Sequence, residues 1–141
     1  LFSSEKLFHF SFYNVNARGQ WMKGGELGVK EGSDLKSSAV QYFRKKGYKV
    51  EEDISLEGFR GIQRTFDLIV QRGRQAQCVW IRDWKRTIGI NVVINLDKAS
   101  EEVGLPNPII IGEKFSDHAK SYANRRKIML LTKRQILQSL R

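Results

Sequence analysis

Asp67, Asp83 and Lys85 are the residues whose types and spacing could do chemistry in this chain. The run CVWIRDWK (78–85) reads as a strand. Its period of two puts Val79, Ile81, Asp83 and Lys85 on one face and Cys78, Trp80, Arg82 and Trp84 on the other. Charges buried in mid-strand would face a heavy desolvation cost, so Asp83 and Lys85 are expected at the strand's end, beside a cleft. The preceding run TFDLIV carries one further carboxylate, Asp67. Between them QRGRQ (71–75) is a hairpin turn that would fold Asp83 back towards Asp67. Two neighbouring carboxylates repel unless positive charge lies between them, which suggests a divalent cation. Oxygen ligands without a nearby histidine or thiolate favour Mg²⁺ or Mn²⁺ over zinc. Lys85 would then orient water and stabilise charge growing on a phosphate. An Asp–Lys salt bridge on the surface is the plainer alternative, and these three residues alone leave it open.

The elements that must position this trio follow from patterning. A helix is expected from Ser33, with Leu35, Ala39, Tyr42 and Phe43 at helical spacing and RKKG (44–47) as its end. Three strands follow in YKVEEDISLE, RTFDLIVQ and QCVWIRDWK. INVVINLDKASEEVG reads as a helix ended by Gly104, and IIIG as a short strand buried on both faces. A helix capped by Ser116, the strand KIMLL and a helix capped by Thr132 complete the chain. The order α-β-β-β-α-β-α-β-α implies an α/β fold, a mixed sheet with helices on both faces. Residues 1–32 form an N-terminal extension, in which LFHFSFYNV alternates like a strand and RGQWMKGGELGVKEG is a glycine-rich connection. The chain begins at Leu1, so residues 1–21 are open to being non-native and Met22 is a candidate start.

Length and charge narrow the function classes. The 141 residues suit one domain. No apolar run is long enough to span a bilayer, and the single cysteine, Cys78, excludes an internal disulfide and fits a reducing, intracellular setting. The net charge of +10 favours a polyanionic partner. It is unevenly spread: +1 over residues 1–57, +5 over 58–90, −2 over 91–112 and +6 over 113–141. Arg60, Arg64, Arg72, Arg74, Arg82 and Arg86 surround the trio in sequence and suit bidentate phosphate contacts. Trp80 and Trp84 are expected to pack in the core rather than stack on bases.

With its surroundings, the trio resembles the PD-(D/E)xK signature of restriction endonuclease-like nucleases. GSDLKSSAVQYFRKKGYKV resembles the first helix and strand of Mrr-type restriction endonucleases and archaeal Holliday-junction resolvases. IIIGEKFSDHAKSYANRRKIMLLTKRQIL resembles the closing strand–helix–strand–helix of Mrr-type domains. The resemblance covers roughly residues 30 to 140 and places the nuclease domain at 33–141. It implies a mixed sheet with an α-β-β-β-α-β core and a C-terminal α-β-α. It also implies a Mg²⁺- or Mn²⁺-dependent DNA endonuclease with Asp67, Asp83 and Lys85 as its catalytic core. Asp67 and Asp83 would hold the metal, with Glu57 able to reach it from the neighbouring strand. Lys36 stands where the first helix of such nucleases often carries a glutamate, for which Glu31 or Asp34 could substitute. Lys36 is the best support for a DNA-binding module that has lost cleavage. Junction resolution and a basic structural subunit are the further alternatives. The implied partner is DNA, with no membrane. Double-strand cleavage by a one-site domain calls for a homodimer, and the location would be cytoplasmic, at the nucleoid in a prokaryote.

Overall fold

Leu35, Ala39, Val40 and Phe43 recur at helical spacing, and all four are buried along one side of helix α1 (Asp34–Lys45). Arg44 and Lys45 lie in its last turn, and Gly47, at φ 90°, supplies the left-handed turn that releases the chain. The computed structural model describes residues 13–15, 21–23 and 34–141; the expected Ser33 cap lies outside them. Two short antiparallel strands, β1 (Tyr13–Val15) and β2 (Trp21–Lys23), pair with each other, so WMK is a strand rather than part of a connection.

Strands β3 (Lys49–Glu57), β4 (Gln63–Arg72) and β5 (Gln75–Arg82) form an antiparallel meander. A two-residue turn at Gly73-Arg74 joins the last pair, with Arg72 opposite Gln75 and Gly73 at φ 62°. Helix α2 (Ile90–Val103), ended by Gly104 at φ 73°, crosses over to β6 (Ile109–Gly112), which pairs parallel to β5. Helix α3 (Asp117–Arg126) leads to β7 (Met129–Thr132), again parallel, and α4 (Lys133–Ser139) follows. The five strands lie in the order β3-β4-β5-β6-β7. Helices α2 and α3 cover one face around Val93, Leu96, Ala119 and Ala123; α1 and α4 cover the other around Phe43 and Ile136. This is the expected α/β architecture, a mixed sheet with helices on both faces. The N-caps follow the sequence: Ser116 Oγ accepts from Ala119 N at 3.1 Å, and Thr132 forms a reciprocal capping box with Gln135.

Two departures shape the site. First, β5 spans 75–82, not 78–85. Its ladder with β6 stops at Arg82 opposite Gly112, and the chain leaves the sheet so that Ile88 can bridge to Phe115. Asp83 and Lys85 therefore lie just beyond the strand. Second, the β3–β4 ladder keeps one register but omits the pair Asp53–Asp67, and Asp53 sits at φ 51°. Either side of this break the strands exchange faces. Val50, Leu68 and Val70 pack towards α1 and α4, whereas Leu56 and Phe66 pack towards α2 and α3.

Candidate active site

The break in the ladder explains where Asp67 points. Backbone pairing between β4 and β5 ends at Leu68–Val79, which would leave the Ile81 N–H without a partner. The half-buried Asp67 supplies it: Oδ2 accepts from Ile81 N at 2.7 Å. Trp80 Nε1 donates to the Thr65 carbonyl at 3.1 Å, tying the strands beyond the break. The same Asp67 oxygen meets the Arg82 guanidinium at 3.4 Å. Arg82 also donates to the Ile81 carbonyl at 3.1 Å, and its guanidinium lies 4.6 Å from the Trp80 ring centre and 5.9 Å from that of Trp84. Arg86 stacks over Trp84 at 4.1 Å. The tryptophans pack partly against the core, as expected, and their outer surfaces carry a ladder of alternating rings and guanidiniums.

The register decides which residue meets Asp67. Leu68 faces Val79, so continuing the count puts Trp80 across from Asp67 and Asp83 three residues further on. Arg82 is the charged residue on Asp67, while Asp83 is exposed and pairs with Lys133 Nζ at 3.6 Å. Lys85 is exposed in the following loop. That loop is fixed at its far end, where Ile88 N donates to Lys114 O at 2.8 Å and Ile88 is fully buried. Gly112 makes the room: a Cβ there would fall 2.2 Å from Ile88 Cδ1 and 3.3 Å from the Arg82 carbonyl.

Other expected site residues lie elsewhere. Glu57 pairs with Gln63 at the tip of the β3–β4 hairpin, four residues along the strand from Asp67's level, roughly 13 Å at strand rise. Arg64 makes a bidentate ion pair with Glu102 at 2.7 and 2.8 Å, which holds that carboxyl below its usual range, with Arg60 adding to the effect. Arg64 thus fastens the hairpin tip to the end of α2, where Phe59 N also donates to the Glu102 carbonyl. Arg72 and Arg74 sit at the start of β5, and Arg72 stacks on Tyr48 at 4.6 Å. They are the length of the strand, about 25 Å, from Asp83. The six arginines therefore do not cluster: Arg82 and Arg86 stand at the site, and Arg72 and Arg74 at the opposite end of β5. Lys36, in the position of the expected glutamate, forms a salt bridge to Asp53 on the edge strand. Glu31 lies outside the described residues.

The residues do not form a ready site for a divalent cation. Among the described residues, no three His, Cys, Asp or Glu side chains converge. The Asp67 oxygen on the β5 side is occupied by the Ile81 N–H and Arg82, whose guanidinium already supplies the positive charge that a metal would bring. Cys78 is no nucleophile, since complete burial pushes its thiol up to about 12.

Residues 30–140 match the restriction endonuclease family of the Mrr catalytic-domain type. The chain belongs to that family. It is a nuclease-family domain. Its fold is similar to a protein of unknown function designated AF1548, with TM-score 0.68 and 15% identity over 75% of this chain and 66% of that one. It is also similar to protein VC1899 from Vibrio cholerae, with TM-score 0.57 and 10% identity over 96% of this chain and 39% of that one. No curated protein matches. No helix among the described residues is long and apolar enough to cross a membrane.

Sequence reasoning missed the Arg82–Asp67 pair and the Lys133–Asp83 contact. The first was legible from register: once the turn is fixed at Gly73-Arg74, residue 80 falls opposite 67. The second joins residues 50 positions apart and has no local signal.

Proposed function

We propose that this Mrr-family domain, acting through residues 33–141, binds DNA at the end of β5, with its hydrolytic centre held closed by Arg82. The Arg82–Asp67 pair carries the proposal. Arg82 is held in place by a carboxylate, a carbonyl and two indole rings. The exposed Arg86 and Lys85 beside it provide charge for phosphate, a contact that positions DNA without reading its sequence.

A second reading is favoured by the position of Asp83 one residue beyond Arg82 and by family membership. It is Mg²⁺- or Mn²⁺-dependent endonuclease activity, with Asp67 and Asp83 as ligands and Lys85 at the phosphate, and it requires Arg82 to leave Asp67. Junction-selective resolution is a narrower form of it.

Two measurements separate these readings: plasmid nicking in Mg²⁺ or Mn²⁺, and Mn²⁺ titration by calorimetry, each on the parent and on Arg82→Gln. The expected result is DNA binding without nicking by the parent, and Mn²⁺ affinity at least tenfold tighter in Arg82→Gln. Nicking by the parent above the background of Asp67→Asn would overturn the closed-centre proposal in favour of the second reading.

A further inference from the structure

A second charged surface adjoins Asp83. The far end of β6 and the outer side of α4 enclose a groove of about 480 Å³, lined by Glu113, Lys114, Lys133, Arg134, Leu137 and Arg141, together with Gln138. Its shape follows from spacing. Arg134, Leu137, Gln138 and Arg141 recur at three and four residues, so they share one side of α4 and its continuation. Ile136 on the opposite side is fully buried and anchors the helix on the sheet. Lys114 comes from the segment that the Ile88 bridge holds in place.

The lining carries four cations and one carboxylate. Lys133 is engaged by Asp83. Lys114, Arg134 and Arg141 have no ion pair among the described residues, and all three are exposed. Cations without an ion-pair partner among the described residues, with a single exposed leucine between them, present an anion site. The groove contains no aromatic ring on which a base could stack and no second carboxylate that would suit a basic peptide.

We propose that this groove is the track for the sugar–phosphate backbone of one DNA strand leaving the Asp67–Arg82–Asp83 end of the sheet. Lys133 marks the junction between track and centre. The inference rests on the DNA-binding reading above and holds whether or not the strand is cut. Phosphate contacts carry no base information, so the track is indifferent to sequence. Its expected thermodynamic signature is counterion release, about 0.9 per neutralised phosphate on duplex DNA.

The test is a salt titration of binding to two unrelated 20-base-pair duplexes, using the full chain and the triple variant Lys114→Gln, Arg134→Gln, Arg141→Gln. Circular dichroism and the urea midpoint serve as fold controls. The variant keeps Lys133 and hence its contact with Asp83. A flattening of the log K against log salt slope by about two to three units, equal on both duplexes, is expected for the loss of three contacts. An unchanged slope in a folded variant, with the parent still binding, overturns the track and leaves the DNA reading standing. Loss on one duplex only also overturns it, because it would signify base readout. If the parent binds neither duplex, the DNA reading and the track fall together. If the triple variant misfolds, Arg134→Gln alone, on an exposed side chain, is expected to flatten the slope by about one unit, and an unchanged slope overturns the track.

Discussion

Two aspartates, Asp97 and Asp67, each meet an arginine, and they do so in opposite ways. Asp97 on α2 is buried. It accepts from the Tyr122 hydroxyl at 2.7 Å and from Arg126 Nε at 2.9 Å, while Arg126 also reaches Glu101 at 2.5 Å. The bond to Asp97 raises the Tyr122 hydroxyl above its ordinary pKa, and burial adds to the effect. This network fastens α3 to α2, and every member has its partner. Asp67 instead lies at a break in the sheet, half-exposed, with a backbone N–H and an arginine at the long distance of 3.4 Å. Carboxylates that hold a fold are buried and fully paired, while those left to meet a ligand keep exposure and loose geometry. Glu102, paired bidentately by Arg64, belongs with Asp97; Asp83, reached by Lys133 at 3.6 Å, belongs with Asp67.

The largest effect that would break this contrast is at Asp97. Asp97→Ala leaves Tyr122 and Arg126 without their acceptor and is expected to destabilise by about 3–4 kcal/mol, read as a lower urea midpoint at constant slope. A loss under about 1 kcal/mol would place Asp97 in the same class as Asp67.

Next comes Glu51, a carboxylate that fits neither class. It is buried on β3, its Oε2 has no hydrogen-bond partner among the described residues, and burial raises its pKa from 4.5 to about 7. The folded state thus holds a proton that the unfolded chain releases. Stability is unaffected below about pH 4, falls as pH rises from about 4.5 to about 7, and levels off above. Glu51→Gln is expected to stabilise by on the order of 3 kcal/mol at pH 8 and negligibly at pH 4. Denaturation at both values checks the sign, and equal effects at both would remove titration as the cause.

The smallest effect is expected at the site itself. Asp67→Asn retains an acceptor for Ile81 N–H and loses only an arginine that is partly solvated, so stability should change by about 1 kcal/mol or less. A loss matching that of Asp97→Ala would make Asp67 a structural carboxylate.

Most of the fold was legible because its signals are local. Gly47, Gly104, Ser116 and Thr132 end or begin helices where their chemistry demands, and the apolar run Ile109-Ile110-Ile111 became the strand buried on both faces. The site was legible only in part. Asp67 lies on β4 beside the end of β5, where Arg82 rather than the expected Asp83 meets it, and alternation alone could not say where β5 stops. The stop is set by Gly112, Ile88 and Phe115, which lie up to 33 positions beyond Arg82. Nor could composition separate Arg64, consumed by Glu102, from Arg86, stacked at the site. Pairing is decided by tertiary neighbours. The reading of residues 1–12 falls outside the described residues.

The left-handed turn at Asp53 has a consequence for the molecule among its own copies. Strand β3 is outermost in the five-stranded sheet, and a straight nine-residue edge would offer a template for another chain's strand. At φ 51°, Asp53 interrupts that template midway, dividing the outer edge of β3 into two short pieces with a charged side chain and its Lys36 partner at the junction. An incoming strand cannot extend its hydrogen bonds past this point without a matching kink. The distortion accompanying the break at Asp67 therefore also resists edge-to-edge aggregation, a protection that would be lost if β3 were made regular.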